Sequence, residues 1–172
     1  MRGAHTGFTL IELMTALTVL AVLLAMSVPS FREFTRNNRV TAAHNDLLTA
    51  FTLARSEALK RATPVTVCAS ADGATCAGAT DWAVGWIVFA DGSGVAGQLD
   101  ATDVLLQAWP GTSTDLTLRG STEFVQYTAT GMVSPAAAAS FDAYFAGCSG
   151  AKVRRLGVSP IGALTGTTQA CP

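Results

Sequence analysis

From Phe8 to Phe31 the chain is apolar almost without interruption: after Arg2 no charged side chain appears before Arg32, apart from Glu12. Further on, the apolar positions take a helical period. Val40, Ala43, Leu47, Leu48, Phe51, Ala54 and Ala58 recur at three- and four-residue intervals, and Arg36, Arg39, Asp46, Arg55 and Glu57 form the opposite, solvated face. Glycine is absent from 31–62. These patterns predict one helix from about Thr9 to Ala62, apolar all round in its first half and on one side in its second. Pro29 lies inside it and removes a backbone hydrogen bond, so a kink or local melting is expected there. Thr63-Pro64 ends it, because the residue before a proline is pushed out of the α region.

Beyond Pro64 the period shortens. Val65-Thr66-Val67-Cys68, Trp82 to Phe89, Val104 to Trp109, Leu116-Thr117-Leu118, Phe124 to Tyr127, Phe141 to Phe145 and Val153 to Val158 are short β-branched or aromatic runs. Asp72-Gly73, Asp91-Gly92-Ser93-Gly94 and Pro110-Gly111 mark turns between them. About seven short strands are therefore expected in an antiparallel sheet, with one face covering the apolar stripe of the helix. One long helix followed by a sheet is an α+β architecture.

The first apolar run exceeds the roughly 20 residues that cross a bilayer as a helix, so 8–31 is predicted to span a membrane. Glu12 is the anomaly, since a carboxylate at bilayer depth costs a few kcal/mol unless it is paired. A polar leader carrying Arg2 and ending in Gly7, followed by Phe8-Thr9-Leu10-Ile11-Glu12-Leu13, resembles the class III leader and mature N-terminus of type IV pilins and type II secretion pseudopilins. That resemblance implies a pilin-like fold. It also implies cleavage after Gly7 by a prepilin peptidase, N-methylation of the new N-terminal Phe8, and pairing of Glu12 with the amine of a neighbouring subunit during assembly. Pro29 resembles the family's proline where the helix bends or unwinds in the filament. The organisation implied is a leader at 1–7, the transmembrane half of the helix at 8–31, an amphipathic stem at 32–63 and a periplasmic β domain at 64–172. The protein would then sit in the inner membrane as a single-pass protein in contact with the bilayer, other pilin or pseudopilin subunits and the inner-membrane assembly platform, before entering a filament. Independently of the family, cutting at Gly7 creates a positive amine in lipid, where Glu12 lacks a counter-ion. A plain anchor leaves Glu12 without purpose. A secretory signal ending at Ala25-Met26-Ser27 would have an apolar region that is too long and contains an acid.

A chain of 172 residues supports one modest domain plus an anchor. Its net charge is −1, so no overall field attracts nucleic acid or anionic lipid. Arg32, Arg36, Arg39, Arg55, Lys60 and Arg61 follow the apolar run and would hold that side cytoplasmic, whereas Arg2 argues the reverse. The resemblance places the leader inside and the main body in the periplasm. Cys68, Cys76, Cys148 and Cys171 are consistent with an oxidising compartment. Spacing alone leaves three connectivities open, and proximity favours Cys68 with Cys76 and Cys148 with Cys171. Zinc is disfavoured, because no paired C-x-x-C arrangement is present.

Trp82-x-x-Gly85-Trp86-Ile87-Val88-Phe89, an Asp/Gly-rich loop and Asp103-Val104-Leu105-Leu106 resemble the periplasmic domain shared by H-type pseudopilins and FimU/FimT-type minor pilins. The stem segment Ala54-Arg55-Ser56-Glu57-Ala58 extends that likeness. It implies a minor pilin or pseudopilin of a type IV pilus or a type II secretion pseudopilus, with four cysteines and a long distal portion leaning toward a pilus. The alternative is a DNA-uptake minor pilin. Members of that kind carry a Gly-Arg-x-Arg motif, whereas the corresponding Gly162-Ala163-Leu164-Thr165 lacks both arginines. Lys152, Arg154 and Arg155 remain as the cluster that could touch DNA. No enzyme is expected, because no nucleophile elbow or phosphate loop is present and His44 is the single histidine once His5 leaves with the leader. No cofactor or metal is expected either. Asp91, Asp100 and Asp103 lack the spacing of a calcium loop and read as turn residues.

Overall fold

The computed structural model describes residues 7–92, 95–150 and 152–172, the side chains of 25–30 excepted. Its first element is α1 (Leu10–Arg61), one helix of 52 residues that is continuous through Pro29. Ala62 adopts φ 51°, and this left-handed turn ahead of Pro64 is where the helix stops. The chain forms two compact units, Met1–Asn37 and Asn38–Pro172.

In the first unit the helix is coated with exposed apolar side chains. Leu10, Ile11, Leu13, Met14 and Leu17 are between 56% and 78% exposed. Together with the exposed Val19, Leu20, Val22 and Leu23, these positions cover the whole circumference at 100° per residue, so no single stripe faces a core. Among the described residues no helix is long and apolar enough to cross a membrane. The crossing expected over 8–31 includes 25–30, whose side chains are outside the description.

In the second unit the helix buries Val40, Ala43, Leu47, Ala50, Phe51, Ala54 and Ala58, with Leu48 at the margin. The described residues hold nine strands in two antiparallel sheets, where one sheet of about seven was expected. The first sheet contains β1 (Val65–Ala69), β2 (Gly85–Ala90), β3 (Val104–Pro110), β5 (Phe124–Tyr127) and β6 (Val133–Ser134), in the order β3-β2-β1-β5-β6. The second contains β4 (Leu116–Gly120), β7 (Ala139–Phe145), β8 (Val153–Val158) and β9 (Leu164–Gln169), in the order β4-β7-β8-β9.

Strands β1 and β2 are buried on both faces, for a reason visible in their alternation. Val65, Val67, Trp86 and Val88 join the core beneath the helix, while Cys68, Ile87 and Phe89 point the other way and pack with Cys76, Leu99 and Phe124. The loops that follow β1 and β2 thus cover the sheet's outer face. Asp91 is buried in that layer and accepts hydrogen bonds from Thr66 Oγ1 (2.7 Å), Gln126 Nε2 (2.8 Å) and the Gly97 N–H (3.3 Å). Its role is to close the loop over the sheet. Trp82 to Val84 lie outside β2, because a sharp turn intervenes. Gly85 has φ +114°, and a Cβ there would fall 2.7 Å from the Trp109 carbonyl oxygen and 2.8 Å from that of Ser70. Only glycine fits the approach.

Phe51 lies at the centre of the second unit. Its ring centroid is 6.1 Å from Trp82, 6.5 Å from Tyr127 of β5 and 4.9 Å from Phe141 of β7. His44 packs half-buried on the same helix against β9, its Nε2 being 3.4 Å from where a Gly166 Cβ would stand. Burial first, and the nearby Arg154 guanidinium second, hold its pKa below the usual imidazole value.

Two outcomes follow. Phe51→Ala should destabilise the second unit by about 3–5 kcal/mol, and Thr49→Ala on the exposed face by less than about 0.5 kcal/mol, as read from urea midpoints of the full chain in detergent. Because the folded imidazole is the weaker base, the unfolded chain binds more protons as pH falls past about 6.5. Stability should therefore decline from that pH downward. A His44→Gln variant should show a flatter profile over the same interval, and identical profiles would refute the assignment.

Candidate functional site: the helix N-terminus and the distal segment

Thr9 starts the helix. Its hydroxyl accepts a hydrogen bond from the Glu12 backbone N–H at 3.3 Å, and its carbonyl accepts one from the Leu13 N–H at 3.2 Å. Thr9-x-x-Glu12 has the spacing of a capping box, a local signal that the sequence carries and that reading Glu12 only as an assembly charge overlooks. Glu12 stands in the first turn, where the partial positive charge of the helix N-terminus favours an acid. Among the described residues its carboxylate has no ion-pair partner. Phe8 is 85% exposed just ahead of the cap, and a Cβ on Gly7 would meet no described atom within 4 Å. The remainder of the leader, residues 1–6 with Arg2 and His5, lies outside the described residues. Gly7, the exposed aromatic Phe8 and an acid one turn further on make up this first group.

The cysteines form Cys68–Cys76 and Cys148–Cys171, with Cα atoms 5.6 and 6.0 Å apart. The first closes the loop that caps the outer face of the first sheet. Within that loop Asp72 accepts from Thr75 Oγ1 and from the Ala74 and Thr75 N–H groups, which hold its carboxyl well below the usual range. The second disulfide ties the segment after β7 to the chain end after β9.

The distal basic residues do not form a patch. Arg155 is the register partner of Asp142 across β7 and β8, and its guanidinium donates from Nε and Nη2 to both carboxylate oxygens at 2.6 and 2.5 Å. That pairing raises its pKa and neutralises its charge. Arg154 points to the other side and donates to Thr168 Oγ1 on β9 at 3.1 Å. Lys152 is half-buried and already has an interaction of its own. With one guanidinium neutralised and the other on the opposite face, the DNA-uptake alternative is not supported.

Arg55 departs further from its expected place on a solvated face. It is half-buried and donates from Nε to the Gly131 carbonyl (3.1 Å) and from Nη2 to the Ile161 carbonyl (3.2 Å). It thereby joins the stem to the turn after β5 and the turn before β9. Gly162, singled out above as the start of the segment lacking both arginines, is needed in that junction. Its φ is +75°, and a Cβ would fall 2.2 Å from the Gly131 carbonyl oxygen.

Comparison with known proteins follows the same division of the chain. Residues 2–28 match the prokaryotic N-terminal methylation motif, and residues 43–162 match the family described as type II transport protein GspH. Two fimbrial proteins of Pseudomonas aeruginosa are each 35% identical over 57 residues, which is 33% of this chain and 37% of each relative. The chain thus spans little more than a third of the length of the curated relatives it matches. The crystal structure of the type IV minor pilin FimU from Pseudomonas aeruginosa is similar with a TM-score of 0.60 and 25% identity, over 81% of this chain and 92% of that one. A second crystal form of FimU gives 0.59 at 23% identity, over 77% of this chain and 99% of that one. The methylation motif stands at the open end of α1, and the family match runs from the stem through both sheets. This chain belongs to the type II transport protein GspH family.

Proposed function

We propose that this chain is a minor subunit of a type IV filament, inserted in the inner membrane by residues 8–31 and later drawn into the polymer. The observation that carries the reading is Glu12, without an ion-pair partner among the described residues and one turn from the Gly7–Phe8 bond, at the start of a helix that exposes apolar side chains on every side over residues 10–24. Three roles follow from that arrangement. Gly7 offers a prepilin peptidase a bond with no side chain in the way, Phe8 becomes the N-methylated terminus, and Glu12 accepts the amine of a neighbouring subunit. A buried acid and a buried amine each cost several kcal/mol alone, and pairing them removes most of both penalties. That difference favours association of two stems over either stem by itself in lipid.

The stem and both sheets then form the periplasmic body, where the two disulfides suit an oxidising compartment. On this reading Pro29 supplies the point at which the helix bends or unwinds in the filament. The fimbrial relatives and the likeness to a minor pilin favour a pilus over a secretion pseudopilus. Its partners are other pilin subunits, the prepilin peptidase and the assembly platform.

Glu12→Ala should leave membrane insertion intact and reduce the filament-borne fraction more than about tenfold, measured by immunoblot of sheared filaments against membranes. Normal incorporation would remove the pairing role. Mass spectrometry of the native protein should find methylated Phe8 at the N-terminus. A retained Met1, or a start near Ser27 or Val28, would end the reading.

A further inference from the structure

Arg55 carries a charge that its surroundings leave unmatched. Its two hydrogen-bond partners, the Gly131 and Ile161 carbonyls, are neutral. Among the described residues no carboxylate pairs with it, whereas the neighbouring Lys60 and Arg61 are both engaged by Glu57. A guanidinium has five N–H donors, and two are in use here, so three have no partner among the described residues. The residues gathered round it are unusual for a surface. Leu59, whose side chain lies 3.3 Å from where a Gly131 Cβ would stand, is 53% exposed. Met132, next to Gly131, is 45% exposed, and Ile161, whose carbonyl Arg55 holds, is 63% exposed. A half-buried arginine among exposed aliphatic side chains has the composition of an interface centre, where arginine is enriched and most of the binding energy concentrates.

We propose that this surface docks a segment of another filament subunit that presents a carboxylate between apolar side chains. The carboxylate receives the free guanidinium donors, and the flanking apolar groups cover Leu59, Met132 and Ile161. Charge complementarity selects this occupant. A single unmatched cation suits one carboxylate, whereas a lipid surface is read by clusters of about four to eight basic residues. The identity of the partner as a filament subunit rests on the function proposed above; the chemistry of the docking surface does not.

The test places a photo-reactive phenylalanine at position 161 of the full chain in producing cells and maps the adduct by mass spectrometry. The expected adduct lies on another filament subunit, next to an Asp or Glu. Met132→Lys should preserve or raise its yield, and Met132→Glu should lower it more than about tenfold, because like charge opposes the incoming acid. Changing the mapped acid to Lys should lower the yield and should be rescued by Met132→Glu. The docking surface is overturned by no adduct, by lipid adducts alone, by a partner segment without an acid, or by equal effects of Lys and Glu at position 132. An adduct on an acid-bearing protein outside any filament overturns the proposed partner. The filament reading itself stands or falls separately, on Glu12→Ala.

Discussion

The second unit depends on the burial of one phenylalanine. Phe51 touches Trp82 ahead of β2, Tyr127 at the end of β5 and Phe141 in β7, and so meets both sheets from a helix that belongs to neither. Among the described residues the sheets share no ladder; one isolated bridge, Asp81 to Arg119, is their backbone link near that point. Two sheets without a common edge stay together when their inner faces bury against a third element. An aromatic ring hiding about 150–250 Å² is the most effective side chain for that purpose. The stripe from Val40 to Ala58 extends the same contact along the helix, with alanines at 43, 50, 54 and 58 allowing close approach and Leu47 and Phe51 filling the space between sheets.

This explains which parts of the fold were legible in the sequence. Helical spacing identified the stripe and Thr63-Pro64 the end of the helix, because both are local properties of the chain. Six of the expected runs became strands nearly as written, and the seventh lost Trp82 to Val84 to the turn at Gly85. The pairing into two sheets was not legible: alternation says which side chains share a face and nothing about which ladder a strand joins. Strand β9 escaped because Leu164-Thr165-Gly166-Thr167-Thr168-Gln169 is an edge with little apolar content, and an exposed edge needs none. Strand β6 is two residues long, too short for any period.

At the candidate sites the local signals were again the readable ones. Thr9-x-x-Glu12 is visible as a cap, and Arg55 stands four residues after Phe51 and four before Leu59, which places it at the border of the buried stripe. Assigning it to the solvated face gave weight to its charge over its spacing. The fate of the distal arginines was beyond sequence reasoning, because it depends on strand register. Arg155 faces Asp142, and Arg154 faces Thr168, only once β7, β8 and β9 are aligned. Charge pairing across the second unit is partial. Arg155, Lys60, Arg61 and Arg39 all lie against carboxylates, and the buried Asp91 is satisfied by three neutral donors. Among the described residues Arg55, like Arg154, donates only to neutral acceptors, and Arg55 alone of the two lies beside exposed aliphatic side chains of the turns at Gly131 and Ile161.

The first half of α1 poses a different problem. Fully burying one large aliphatic side chain is worth about 1.5–3 kcal/mol, and Leu10, Ile11, Leu13, Met14, Leu17, Val19, Leu20, Val22, Leu23 and Leu24 all stand exposed. Leaving such a surface in water is untenable, so this half requires an apolar environment, which on the proposed function is lipid or the stems of other subunits. Lipid tails match the aliphatic side chains as well as another helix does, so apolar burial alone gives no reason to leave the bilayer. Glu12 breaks that balance. Hydrocarbon offers a carboxylate nothing, while on the proposed function a neighbouring chain cut after Gly7 would bring an amine at nearly the same depth. The apolar coat therefore suits the stem to either setting, and on that proposal the single acid decides between them.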